Sequence, residues 1–472
     1  MNMRKLEIGK SALPLLAVAA LTVALVVVGC TAGLNSALTT VTSTSTALVP
    51  VSITDAPSDQ VVAASLTINS VVLTDSKGAT ASILPAPFTF EAAHLDAIQE
   101  PLFTPSIPED TYVSVSLTYS NAQVAYIDPT TNQIVLATGT LANNSQTITF
   151  SSPITVSNTS TGLLIDYLVA NSVTISGSTV DVAPQFNVAA VPIAPQPTNG
   201  LNGLQCGING QITALGSNSF TLQTPEGTSL TIYVNSSTVY QGLSGFSALA
   251  VNAFVQVDTQ TQTNGELLAV RIAEQAPPPA NGMMLVGPVT AVTGSPATSF
   301  TQVVRQQVGP NATANPIQVD TIAINGSTTF QLPFQLNNLS GGTLPFTATF
   351  SASTIFAGQN VAVATSGVSN NAATALNIAL APQTVDGTIA SVTAGSGGAE
   401  IYTITLNSTG WLAKLTGLST VTVYTNGNLQ QVGPTAPAVG STIRFNGFLF
   451  KSNGALVFLA GVQGPPPGQP MM

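Results

Sequence analysis

From Val49 onward the chain is a succession of short runs in which apolar and polar residues alternate, and no segment beyond Val28 carries sustained helical periodicity. The runs "ASLTINSVVL", "TYVSVSLTYS", "SLTIYVNSST" and "STVTVYTNG" are rich in β-branched and aromatic residues and are divided by Gly, Asn and Ser turns. Side chains along a strand point alternately to opposite faces, so such a run buries one face and needs neighbours to satisfy its backbone. A chain made of these runs must pair them into sheets, which predicts an all-β protein.

A longer period runs through the second half. "GQITAL" from Gly210, "GPVTAV" from Gly287 and "GTIASV" from Gly387 share the form G-x-[IV]-[TA]-[AS]-[LV]. Each is followed by a β-branched run ending in a polar turn ("TIYVNSST", "TIAINGST", "TVTVYTNG"), then by two further strands such as "AFVQVDT" and "LLAVRIA". Four or five strands in fewer than about a hundred residues protect their edges best by curling into a small barrel. These units resemble a family of uncharacterised bacterial domains often found in tandem in lipoproteins, most closely over residues 204–274. That resemblance implies a barrel and no known activity.

The stretch before the repeats has another plan: "VPVSITDAPSD", then "VAASLTINSVVLTDSKG", "IPEDTYVSVSLTYSNAQV", "LLIDYLVANSVTI" and "VAPQFNVAAV". Its T-D-A-P start, proline-led T-Y strand, D-[FY] strand and late proline strand resemble another domain family of unknown function in exported proteins. The resemblance implies a β-sandwich with a transthyretin-like look. Glu109 and Asp110 depart from the Ala-Gly turn that is usual there.

At the amino terminus, Arg4, Lys5 and Lys10 precede an uncharged apolar stretch, Ser11 to Val28, the layout of an export signal. This stretch is rather short for a membrane span, although an uncleaved signal anchor is the alternative reading. Val27, Val28, Gly29 and Cys30 resemble the bacterial lipobox, which implies cleavage after Gly29 and lipid attachment at Cys30. Several acyl chains on one cysteine give stable anchoring, at roughly 0.8 kcal/mol per buried CH₂. Thr31 follows the cysteine where an aspartate would mark inner-membrane retention, so the outer membrane is favoured.

Removing residues 1–29 takes three of the nine basic and one of the nineteen acidic residues, leaving a net charge of −12 on 443 residues. A chain this acidic has no nucleic-acid footprint. The remaining cysteine, Cys206, has no partner if Cys30 is lipidated, which leaves no disulfide and no CxxC site, and it reads as a small buried hydrophobe. Pro- and Gly-rich breaks at Val191–Gly203 and Gln275–Gly282 mark linkers that a protease should cut first, near Pro195 and Pro278.

Candidate chemistry is sparse. His94 is the only histidine; beside Asp96 in "AAHLDAI" it lacks a nucleophile elbow, so it reads as a surface or packing residue. Asp55 and Asp59 flank Pro57 in a turn, where Asp55 is expected to bond the local backbone, and a calcium site from Asp55, Asp59 and Asp75 would lack a dense D-x-D-x-D loop. Asp166 interrupts "LLIDYLV" on one strand face with Leu164 and Leu168; a sheet edge or a neighbouring loop is its expected setting. Trp411, the single tryptophan, reads as a core anchor rather than a sugar-stacking platform.

The expectation is therefore an all-β chain: an N-terminal β-sandwich followed by three small β-barrel repeats, after a cleaved lipoprotein signal peptide. Its parts are a signal peptide (1–29), a Ser/Thr-rich tether (30–48), a sandwich (49–190), barrels at 204–274, 283–382 and 384–463, and a Pro-rich tail (464–472). The expected role is that of a lipid-anchored cell-envelope protein acting structurally or by interaction, held to the membrane through Cys30 with an envelope protein or polysaccharide partner. No catalytic residue, cofactor, metal or metal-dependent folding is expected. Polysaccharide binding and an envelope hydrolase are the alternatives.

Overall fold

Strand-forming sequence becomes strand almost throughout a computed structural model that describes residues 45–55, 58–96, 98–158, 161–193, 203–275, 282–310, 312, 317–333, 336, 346–395, 399–425, 430–431 and 437–464. The signal peptide, Cys30, most of the tether, the linker centres with Pro195 and Pro278, and the tail from Pro465 lie outside the described residues. One boundary shifts: Thr46–Leu48, expected as tether, is a strand antiparallel to Ser106–Pro108.

The N-terminal unit has two main sheets. One is antiparallel, ordered Ser145–Thr155, Thr111–Ile127, Val61–Asp75 and Thr80–Ser82, with Phe88–Glu91 and Ile134–Thr138 pairing the two long strands. The other runs Phe186–Pro192, Thr161–Tyr167, Val51–Asp55, Glu100–Phe103, its middle pair parallel. Val51, Ile53, Leu163 and Ile165 of the second sheet join Leu66, Ile68, Val71 and Leu73 of the first in one core, the arrangement of a sandwich. Alternation fails at Val61–Leu66, where every residue is buried, because Val62 and Ala63 on the outer face pack against Val303 and Ile317 of the second repeat.

Each repeat opens with a twelve-residue strand, Leu204–Leu215, Met283–Gly294 and Gln383–Ala394, which pairs one neighbour with its first half and another with its second. In the first and third repeats a parallel contact between Ser229–Tyr233 and Leu267–Glu274, and between Thr420–Tyr424 and Ala455–Gly464, closes a five-stranded barrel. The middle repeat follows the same circuit of pairings, with two short extra strands.

The shared glycine of the repeat motif marks the change of partner. Gly210, Gly287 and Gly387 sit opposite Val255, Val361 and Ile443. A Cβ at these glycines would fall 2.6 Å from Gln223 O, 1.9 Å from Val303 O and 2.2 Å from Thr405 O. The next strand's carbonyl occupies the space a side chain would need, so glycine is required for barrel curvature. The units also share cores: Phe448, Phe450 and Leu459 of the third repeat pack into the core of the second, and Phe254 of the first packs on Met284 and Ala362.

Candidate functional site

Because all four β units adjoin, polar strand faces that alternation would assign to solvent are buried against one another. On the outer face of the sandwich's second sheet, Ser52, Thr54 and Asp166 are all buried. Ser52 Oγ accepts a hydrogen bond from Gln205 Nε2 of the first barrel at 2.8 Å, and Thr54 Oγ1 donates to Ile98 O at 2.8 Å. Arg305 of the second repeat donates from Nε to Val62 O of the sandwich at 2.7 Å. Trp411 of the third repeat donates its backbone N–H to Asp59 O at 2.7 Å, and Asn407 Nδ2 donates to the Asp59 carboxylate at 2.9 Å.

A cavity of about 340 Å³ lies where the units meet, with His94 and Gln99 of the sandwich, Asn209 and Asp258 of the first barrel, Arg305 of the second and Asn446 of the third in its wall. That volume is near the lower end of small-molecule sites. A second cleft of about 50 Å³ is bordered by Asp59, Asp96, Asp386, Arg305 and Trp411. It admits a few waters and no sugar ring. Trp411 is half-buried with the Arg305 guanidinium 5.3 Å from its ring centroid, an interdomain packing residue rather than a platform.

Ionisable side chains gather around these spaces in two groups. The first centres on Arg444, which is fully buried: its Nε lies 3.1 Å from Asp96 Oδ1, out of line for a hydrogen bond, and its Nη2 donates to Asp386 Oδ2 at 3.4 Å. Burial, and then Asp59 beside it, raises the Asp386 carboxyl well above its ordinary value. Burial and the adjacent Asp96 do the same to Asp55. Asp55 accepts a hydrogen bond from Val169 N–H at 3.3 Å, a partner 114 positions away in place of the expected local turn. Asp166 has no hydrogen-bond partner for either oxygen among the described residues, and burial pushes it up to about 6 against the pull of Arg444.

The second group surrounds His94. Its Nδ1 is 3.2 Å from Glu91 Oε2, and its Nε2 is 3.3 Å from Glu100 Oε2 and 3.7 Å from Glu226 Oε1. Glu91 is fixed in turn: Oε1 accepts from the N–H of Ala64 and of Ala93, and Oε2 from the N–H of His94, each at 2.9 Å. Burial opposes charge on His94, yet Glu100, Glu91 and Glu226 outweigh it and hold the imidazole well above its ordinary value. Burial together with Glu100 pushes Glu226 up to about 7. Donor atoms of His94, Glu100 and Glu226 all lie within 4.8 Å of one another.

These positions revise the sequence expectations. Of the surface and packing settings expected for His94, the structure gives the buried one, with a group of acids around it, and it brings together carboxylates far apart in the sequence. The Asp55, Asp59 and Asp75 trio does not converge: Asp75 accepts from Lys77 N–H and Ala79 N–H in its own turn, at the far end of the fifteen-residue strand that begins two residues after Asp59. A strand of that length spans about 45 Å. Cys206 lines the large cavity, and burial raises its thiol well above its ordinary value, as befits an unreactive side chain. The overlooked residues were Glu91, Glu100, Glu226, Asp386, Arg305 and Arg444. A local signal did exist, since Glu91, His94, Asp96 and Glu100 fall within ten residues of a chain that is only 6% charged.

No curated protein matches the chain. Among solved structures, one titled "drosophila Unr CSD456" is similar at 11% identity and a TM-score of 0.12, over 54% of this chain and 94% of that one. Residues 46–194 match the family model "Domain of unknown function (DUF4382)" and residues 209–273 match "Domain of unknown function (DUF5666)", so the sandwich and the first barrel are each similar to a separate family of unknown function.

Proposed function

We propose that the chain is a lipid-anchored cell-envelope protein with a non-enzymatic structural or interaction role. One observation carries the reading: in a chain only 6% charged, Asp55, Glu91, Asp96, Glu100, Asp166, Arg305 and Arg444 are buried in the junction, which leaves a sheet exterior of largely neutral polar residues. Arg305 and Arg444 are buried there, and Arg271 is paired with Asp258 at 2.6 Å. Outside the junction the sandwich ends in the strand Ser145–Thr155, mostly exposed, whose outer edge pairs with no other strand among the described residues. An uncharged edge rich in Ser and Thr suits strand addition by a partner chain.

The anchor follows from the lipobox at Cys30, and the outer membrane is the favoured location. The test is envelope fractionation of the full chain with mass spectrometry of its mature amino terminus. Acylated Cys30 in the membrane fraction is expected; an unmodified Cys30 in the mature protein would overturn the anchor. Hydrolytic turnover that is lost in Asp166→Asn would replace the non-enzymatic reading, and saturable quenching of Trp411 by an envelope polysaccharide would replace the protein-interaction reading.

A further inference from the structure

We propose that His94, Glu100 and Glu226 form a binding site for one divalent transition-metal ion of the zinc type, which staples the sandwich to the first barrel. His94 and Glu100 come from the sandwich, the former in the turn after Phe88–Glu91 and the latter at the start of Glu100–Phe103. Glu226 comes from the tight turn between Ser219–Gln223 and Ser229–Tyr233 of the first barrel. A shared ion would thus bind residues 126 positions apart in the chain and from two different units.

The donor spacing around His94 fits. Ligand atoms about 2.0–2.2 Å from a tetrahedral ion stand about 3.3–3.6 Å from one another. His94 Nε2 stands 3.3 Å from Glu100 Oε2 and 3.7 Å from Glu226 Oε1. One nitrogen and two carboxylates also match the donor preference of such an ion, with a fourth position left for water or a ligand from the cavity that His94 borders.

Two observations independent of this clustering point to an occupant. His94 Nε2 and Glu100 Oε1 are buried without a hydrogen-bond partner, on side chains only 9% and 4% exposed. A buried polar atom left unmet is costly, and a coordinated cation would meet both. The opposite side of the imidazole is already built for ligation: Glu91, held by three backbone N–H groups, faces Nδ1 and fixes the tautomer that presents Nε2 as an acceptor. Charge supports the same choice. The two ligand carboxylates balance a divalent cation on a neutral imidazole, and the third carboxylate, Glu91, is met by backbone N–H groups.

The test uses the full chain, purified in detergent and stripped with a chelator. It is titrated with Zn²⁺ by calorimetry and with Co²⁺ by visible absorption. One Zn²⁺ per chain and a raised melting temperature are expected, with binding lost in His94→Ala, at least tenfold weaker in Glu226→Gln, and about 10–100-fold weaker in Glu91→Gln. Asp75→Asn, whose carboxylate holds only its own turn, should bind as the parent does, and circular dichroism checks that each variant is folded. No stoichiometric Zn²⁺ binding by the parent chain would overturn the proposal. So would parent-like affinity in folded Glu226→Gln, or a thiolate charge-transfer band with Co²⁺, which would place the ion at Cys206.

Discussion

Replacing Asp166 by asparagine removes a carboxylate whose two oxygens are buried and unpartnered among the described residues. Burial raises this group from 3.8 to about 6, with Arg444 opposing. At about 1.4 kcal/mol for each tenfold change in proton affinity, that rise corresponds to about 3 kcal/mol. Folding strengthens proton binding here, so the contribution of Asp166 to stability is fully present below about pH 4 and is lost as pH rises through about 6. Above that, the fold holds an ionised carboxylate that water scarcely reaches. Asparagine keeps the shape without the charge but still buries an amide, which retains part of the penalty. The variant should therefore be more stable than its parent by roughly 1–3 kcal/mol at about pH 7.5, and nearly equal at about pH 4. Urea unfolding of both chains across that range, scored at the first transition, isolates the Asp166 contribution from neighbouring acids, because those are common to both. A destabilised variant at neutral pH, or an offset that does not change with pH, would refute the reasoning.

Arg444→Met should lose about 3–5 kcal/mol at neutral pH, because Asp96 and Asp386 would be buried without their cation, and the loss should shrink as pH falls and protons take its place; thermal melts at two pH values check both. Gly287→Ala forces a Cβ to within 1.9 Å of Val303 O and should cost about 3 kcal/mol or more, whereas Gly326→Ala, with nothing within 4 Å, should stay within about 0.5 kcal/mol of the parent in the same denaturation assay. Cys30→Ala should leave an uncleaved precursor without acyl mass, read by mass spectrometry.

Much of the architecture was legible because it rests on local rules. Alternation at Leu66, Ile68, Val71 and Leu73 identified a strand with one buried face, and the glycines at 210, 287 and 387 marked three equivalent units, since only glycine leaves room for the carbonyl crossing behind it. In these cases the determinant is the chain's own period or a steric demand within one hairpin.

The junction was decided at a longer range. Ser52, Thr54 and Asp166 occupy alternating polar positions that look solvent-facing, yet the first barrel covers that sheet and Gln205 bonds Ser52. Nothing in "LLIDYLV" says whether its polar face meets water or another domain, because period-two patterning specifies which residues share a face and not what lies opposite. The same limit hid the His94 group. Glu91, His94 and Glu100 are near one another in sequence, but Glu226 reaches them only through the docking of a barrel turn onto the sandwich. By itself, then, the sequence determined the strands, the repeats and the candidate lipid anchor, each governed by local sterics or a short motif. Only the tertiary structure decided which charges are buried together, because the electrostatics of a carboxylate depend on desolvation and on partners hundreds of residues away, as Arg444 is from Asp55.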